Sequence, residues 1–188
     1  MVDVAKNLLA IKAQLPEGVE LTAVSKFHPD EYITAAYNVG QRIFGESHEQ
    51  ELARKAASLP KDIHWHFIGH LQTNKVKYIA PYISMIESVD SIRLLREIEK
   101  QGARCGRRIR VLLELHIAEE ATKYGLTPDD CRSLLADGEW QQMEHVEICG
   151  LMMMASHTDD HDQIAREMDT AHSFFDEVRG KYFADQPS

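Results

Sequence analysis

Six short runs of apolar, β-branched and aromatic residues punctuate the chain, at residues 21–27, 42–44, 64–68, 85–88, 110–115 and 148–154. Their length and composition predict strands rather than buried helices. Between them apolar positions recur at helical spacing, and the flanks carry caps. Thr127-Pro128-Asp129-Asp130 reads as an N-cap, a proline at the first helical position and acids in the first turn. Ser47-His48-Glu49-Gln50 fits a capping box, with Gln50 reaching back to Ser47. Thr158-Asp159-Asp160 opens a last helix that runs to Arg179 and stops at Gly180. An N-terminal helix of about a dozen residues precedes the first strand. Strand and helix then alternate, which predicts parallel strands joined by helical crossovers in one α/β domain spanning residues 1–188. The pattern fits either a (β/α) barrel or an open doubly wound sheet.

Composition narrows the functional classes. Hydrophobic residues make up 44% of the chain and charged residues 27%, the usual mix for a globular protein with a real core. A formal net charge of −9 argues against sequence-independent binding to nucleic acid, which needs a basic face. The local cluster Arg104, Arg107, Arg108 and Arg110 reads as a solvated helix end. No stretch approaches a membrane span, and the first twelve residues lack the apolar run of a signal peptide. Cys105, Cys131 and Cys149 show no C-x-x-C spacing, so reduced thiols in a cytoplasm are expected.

In both candidate folds a site would lie beyond the C-terminal ends of the strands. Those ends deliver Lys26; Gly45, Glu46 and Ser47; Gly69 and His70; Ser88 and Asp90; His116; and Met152 to Ser156. Strand alternation puts Thr22, Val24 and Lys26 on one face. An amine at the tip of a buried strand is costly. Desolvation there would favour the neutral, nucleophilic form that Schiff-base chemistry needs. The competing reading is an ordinary lysine that snorkels to solvent. His64, His66 and His70 suggest a metal through their H-x-H spacing, but no carboxylate stands beside them in the sequence, and Trp65-His66-Phe67 reads better as a packed strand. Glu46 and Glu114 are weak acid–base candidates. The Met152-Met153-Met154 run fills core space, with one thioether free to touch a ligand.

Several blocks together resemble the pyridoxal phosphate homeostasis proteins. They are Ala23-Val24-Ser25-Lys26 with Pro29, then Phe44-Gly45-Glu46 with Gln50-Glu51, then His64 through Lys75, whose core is Phe67-Ile68-Gly69-His70-Leu71-Gln72-Thr73-Asn74. Ser88-Val89-Asp90-Ser91, Lys123 with Gly125, and Gly150-Leu151-Met152 complete the set in order. The resemblance implies a (β/α)8 TIM-type barrel of the alanine racemase N-terminal-domain type, with about six of its eight strands in this chain. It implies pyridoxal 5′-phosphate as cofactor, held as a Schiff base on Lys26 with Val24, Ser47 and Met152 beside it. It implies no catalytic residue and no metal: a cytoplasmic, monomeric protein that buffers the cofactor or passes it to pyridoxal-phosphate-dependent apo-enzymes. A racemase-like enzyme is the alternative. Two positions depart from the family pattern, Ser47 and His116, where asparagine is usual. The family's phosphate-binding loops have no match before the chain ends at Gln186-Pro187-Ser188, so a continuation is expected.

Overall fold

The computed structural model describes residues 3–117 and 124–184. Along it run α1 (Val4–Lys12), β1 (Ala23–Val24), α2 (Asp30–Asn38), β2 (Ile43–Glu46), α3 (Glu49–Ser58) and β3 (His64–Phe67). After these come α4 (Val76–Ile79), β4 (Met85–Val89), α5 (Ile92–Cys105), β5 (Ile109–Leu115), α6 (Pro128–Asp137), β6 (Val146–Met153) and α7 (His161–Tyr182). Lys123 and the segment Gln186-Pro187-Ser188 lie outside the described residues.

The strands form one sheet in the order β1-β2-β3-β4-β5-β6, and every neighbouring pair is parallel. A doubly wound sheet reverses its order partway, so that helices cover both faces. Here each strand adds beside the one before it, and right-handed crossovers then bring the connecting helices to one face. This sequential winding is not that of a doubly wound sheet.

Parallel partners share a face, so the registers sort the side chains. Phe44 pairs with Trp65, Phe67 with Ile86, Ile86 with Val111 and Val111 with Ile148. These residues are buried, and with Leu52, Leu94, Leu95, Ile98 and Leu135 from the helices they form the main core. The other face carries the row Val24, Gly45, His66, Met85 and Arg110. Further along the same face Glu114 stands beside Met152. A register shift between Val111 and Leu112 pairs Leu112 with Gly150 and leaves Cys149 as the extra residue of a bulge.

Several elements differ from the sequence pattern. The first strand keeps only Ala23–Val24 of its predicted run. The Gln41 side-chain amide takes the Leu21 carbonyl at 2.6 Å, and the chain turns after Ser25. Ser47 does not cap α3: His48 holds the N-cap position without a side-chain bond. The last helix starts one residue after Asp160, whose carboxylate caps the Asp162 and Gln163 amides, and it continues through Gly180 to Tyr182. Phe174 and Val178 pack that helix into the core, and this outweighs the ~1 kcal/mol a helical glycine costs. Arg107 is not a solvated helix end either. Its guanidinium donates to the Ala80 and Ile83 carbonyls, just past α4. Thr127 caps α6 as predicted, accepting from the Asp130 amide at 3.1 Å.

Candidate functional site

Lys26 sits in a turn, not in the strand. The His28 amide donates to the Ser25 carbonyl at 3.1 Å, making Lys26 and Phe27 the two central residues. Phe27 has φ 64°. The second central residue of such a turn is ordinarily glycine when φ is positive, and a bulky side chain there costs about 1–3 kcal/mol. The surroundings sustain this conformation. The Phe27 amide donates to Glu51 Oε1 at 2.9 Å, and its ring lies against His48 with centroids 5.2 Å apart.

Ser25, on the other side of Lys26, is held at three points. Its amide donates to the Gly45 carbonyl at 2.9 Å, and its hydroxyl donates to Glu46 Oε1 at 2.6 Å. Its carbonyl accepts from Lys55 Nζ at 2.7 Å. Lys55 comes from α3 and has no exposed side-chain surface. It also donates to Glu46 Oε1 at 2.8 Å and Glu51 Oε1 at 2.7 Å, so three acceptors use the three N–H bonds of an ammonium. Burial pushes the Glu51 carboxyl up, but the hydrogen bonds from Lys55 and the Phe27 amide outweigh it and hold the group below its ordinary value. Glu46, an acid–base candidate from its position, instead points to the helix side of the sheet and serves this cluster.

The Lys26 side chain itself is exposed, and its amine has no hydrogen bond or ion pair among the described residues. The desolvation expected at a buried strand tip is therefore not found. The strand stops two residues earlier, and the turn carries Lys26 out to solvent. Chemically, the site offers a primary amine at the C-terminal rim that is free to condense with an aldehyde.

Val24 and Met152 can be placed by register, and Ser47 lies just past the end of β2. Val24, 51% exposed, pairs with Gly45. Ser47 follows two residues after Gly45, and Met152 pairs with Glu114 on the same sheet face. A Cβ on Gly45 would lie 3.1 Å from Ile68 and 3.2 Å from Thr22, so this part of the face is closely filled. Ser47 packs against Gly69, where a Cβ would lie 2.5 Å from the Ser47 Cβ. The Ser88 hydroxyl donates to the Gly69 carbonyl and fixes the far side of that contact. Within the His64–Lys75 block, Lys75 pairs with Glu49 at the start of α3. That hydrogen bond lowers the Glu49 carboxyl, burial opposing it.

The histidines separate. His64 is exposed at the start of β3. His66 Nδ1 meets Glu87 Oε1 on the neighbouring strand, a carboxylate that linear spacing does not reveal. His70 lies 3.3 Å from Asp90 Oδ2 and stacks on Tyr124 with centroids 3.9 Å apart. Among the described residues no three His, Cys, Asp or Glu side chains gather as metal ligands. Glu114 is buried, and its Oε2 has no hydrogen-bond partner among the described residues. Burial pushes its carboxyl up, the nearby Asp90 carboxylate adds to this, and His116 opposes it. Gly125 shapes the same rim: its φ is 120°, and a Cβ would lie 2.8 Å from the His116 amide.

Residues 2–187 match the family model of the alanine racemase N-terminal domain, which defines the class of the fold. A pyridoxal phosphate homeostasis protein of Schizosaccharomyces pombe is 37% identical over 140 residues, covering 73% of this chain and 58% of that protein. The Helicobacter pylori protein of the same name is 33% identical over 163 residues, covering 86% of this chain and 73% of its relative. Within the alanine racemase N-terminal class, then, the chain belongs to the family of pyridoxal phosphate homeostasis proteins. It spans little more than half the length of the S. pombe relative. PipY of Synechococcus elongatus PCC7942, solved with pyridoxal phosphate bound, superposes with a TM-score of 0.85 at 33% identity, over 95% of this chain and 83% of PipY.

Proposed function

We propose that this protein binds pyridoxal 5′-phosphate through Lys26 and serves intracellular homeostasis of that cofactor without turnover of its own. The observation that carries the reading is the exposed Lys26 amine, without a partner among the described residues and held at the C-terminal rim by a turn whose flanking residues are both tied down. The amine matches an aldehyde, Val24 and Met152 belong by register to one sheet face, and Ser47 and Met152 are proposed as further contacts on the strength of the family resemblance. When bound, the cofactor supplies an aldehyde carbon that condenses with a neutral amine, releasing its oxygen as water. The chain's own part is to present that amine, to line the sheet face and to leave one side accessible. Residues 1–188 belong to one cofactor-binding domain of a cytoplasmic, monomeric protein, and apo-enzymes that need the cofactor are the natural recipients.

Titration with pyridoxal phosphate should produce the visible absorption of a protein-bound Schiff base. Lys26→Ala should abolish that absorption and the borohydride-trapped adduct at residue 26. An unchanged spectrum in the variant refutes the assignment. Incubation of the loaded protein with L-alanine, followed by optical rotation, tests the racemase alternative. Inversion over many cofactor equivalents would replace the non-catalytic reading.

A further inference from the structure

We infer that Lys55 is a positioning residue for Lys26: its buried ammonium locks the Ser25–His28 turn in the strained conformation that presents the Lys26 amine. The inference rests on the proposed role of Lys26 but is drawn from geometry that role does not require. A lysine with no exposed side-chain surface is rare, because a buried charge must be paired and fully hydrogen-bonded. Here all three donor bonds are spent within one small region. One goes to the residue before Lys26, and the other two go to the carboxylates that hold Ser25 and Phe27. The ammonium thus joins both ends of the two-residue arch that carries Lys26.

Neither end would hold alone. Glu51 Oε1 accepts from both the Phe27 amide and Lys55, so it keeps a non-glycine residue at φ 64° only while its own charge is balanced. Glu46 Oε1 likewise accepts from the Ser25 hydroxyl and Lys55. Without the ammonium the two carboxylates would face each other and the Ser25 carbonyl with no cation between them. The turn would then relax toward φ below zero at Phe27 and swing the Lys26 side chain away from the sheet face.

The test uses the full chain with Lys55→Met, which keeps an unbranched side chain one atom shorter and without the charge, and with Glu51→Ala, which removes only the partly exposed end of the cluster. Folding is checked by far-ultraviolet circular dichroism. Amide exchange at Phe27 and His28 should accelerate about tenfold or more in the folded variants, while exchange in β5 and α5 stays near the original. At saturating pyridoxal phosphate, the visible circular dichroism of the bound chromophore, which reports a fixed orientation, should fall to less than about half, and affinity should weaken about tenfold. A merely structural role would leave that chromophore signal intact in a folded variant. If Lys55→Met does not fold, Glu51→Ala alone decides. Unchanged exchange at Phe27 and His28 overturns the inference, and so does an unchanged chromophore signal with faster exchange. If the unmutated protein forms no Schiff base, it is the function proposed above that fails. The inference is then judged on amide exchange and on the rate of reductive methylation at Lys26, and it falls if either is unchanged.

Discussion

Replacing Gly69 by alanine should damage the junction between β2 and α3 more than a single methyl group suggests. The added Cβ would sit 2.5 Å from the Ser47 Cβ, 2.8 Å from its carbonyl oxygen and 2.9 Å from its Cα. Ordinary contacts between carbon atoms lie near ~3.5–4.0 Å, so the two segments must separate by about 1 Å. None of these atoms belongs to a side-chain end that can rotate away. Ser47 follows Glu46, and Gly69 is tied through its carbonyl to Ser88, so neither segment yields alone. Overpacking of this kind costs about 1–3 kcal/mol. With a urea m-value of about 2 kcal/mol/M, the unfolding midpoint should fall by about 0.5–1.5 M. Gly180→Ala is the matched control: it lies inside α7, and nothing stands within 4 Å of the new Cβ. It should gain about 0.5–1 kcal/mol from helix propensity and raise the midpoint by about 0.25–0.5 M. Equilibrium urea unfolding of both variants checks the pair. An unchanged or higher midpoint for Gly69→Ala would refute the packing argument.

Substitutions at two further positions test other parts of the molecule. The folded-state pKa of Glu114 is raised above its ordinary value near 4.5, so its ionisation opposes folding: the penalty is absent below the unfolded value and grows as pH rises toward the folded one. Glu114→Gln should therefore melt above the unmodified protein at neutral pH, with the gap closing in acid, and thermal melts that give a pH-independent gap would rule this out. Thr127→Ala removes the cap of α6 and should cost about 1 kcal/mol, lowering the melting temperature by about 2–4 °C, whereas Thr127→Ser should retain most of it.

The periodic parts of this structure were legible in the sequence. Each predicted strand run overlaps a strand of the sheet, because a strand buried against helices needs a continuous apolar run and little else produces one. The cap at Thr127 was legible because it depends only on neighbours in the chain. What the sequence concealed depends on contacts across it. Lys55 reads as a surface partner of Glu51 at i+4 spacing, and only the approach of Ser25, just past β1, and of Glu46 on β2 buries it. The same spacing was the one signal that could have flagged it. Glu87 reaches His66 from a neighbouring strand, 21 residues away. Ser47 was misread as a cap because the local motif fits, while the closeness of Gly69 comes from the packing of two loops. At Lys26 alternation assumed that the strand continued, whereas it stops at Val24. A phenylalanine at positive φ is not something composition predicts.

The strict sequential order of the sheet also bears on how the chain reaches this state. Among the described residues no strand waits for a partner from a distant part of the sequence, because each pairing in the sheet joins strands separated by one connecting segment. The entropy of closing each such loop is modest and rises only slowly with its length. Assembly can therefore advance strand by strand, each βα unit docking on an edge that is already formed. During synthesis the N-terminal units emerge first, so β1, β2 and α3 can assemble the arch that carries Lys26 while the rest of the sheet is still being made.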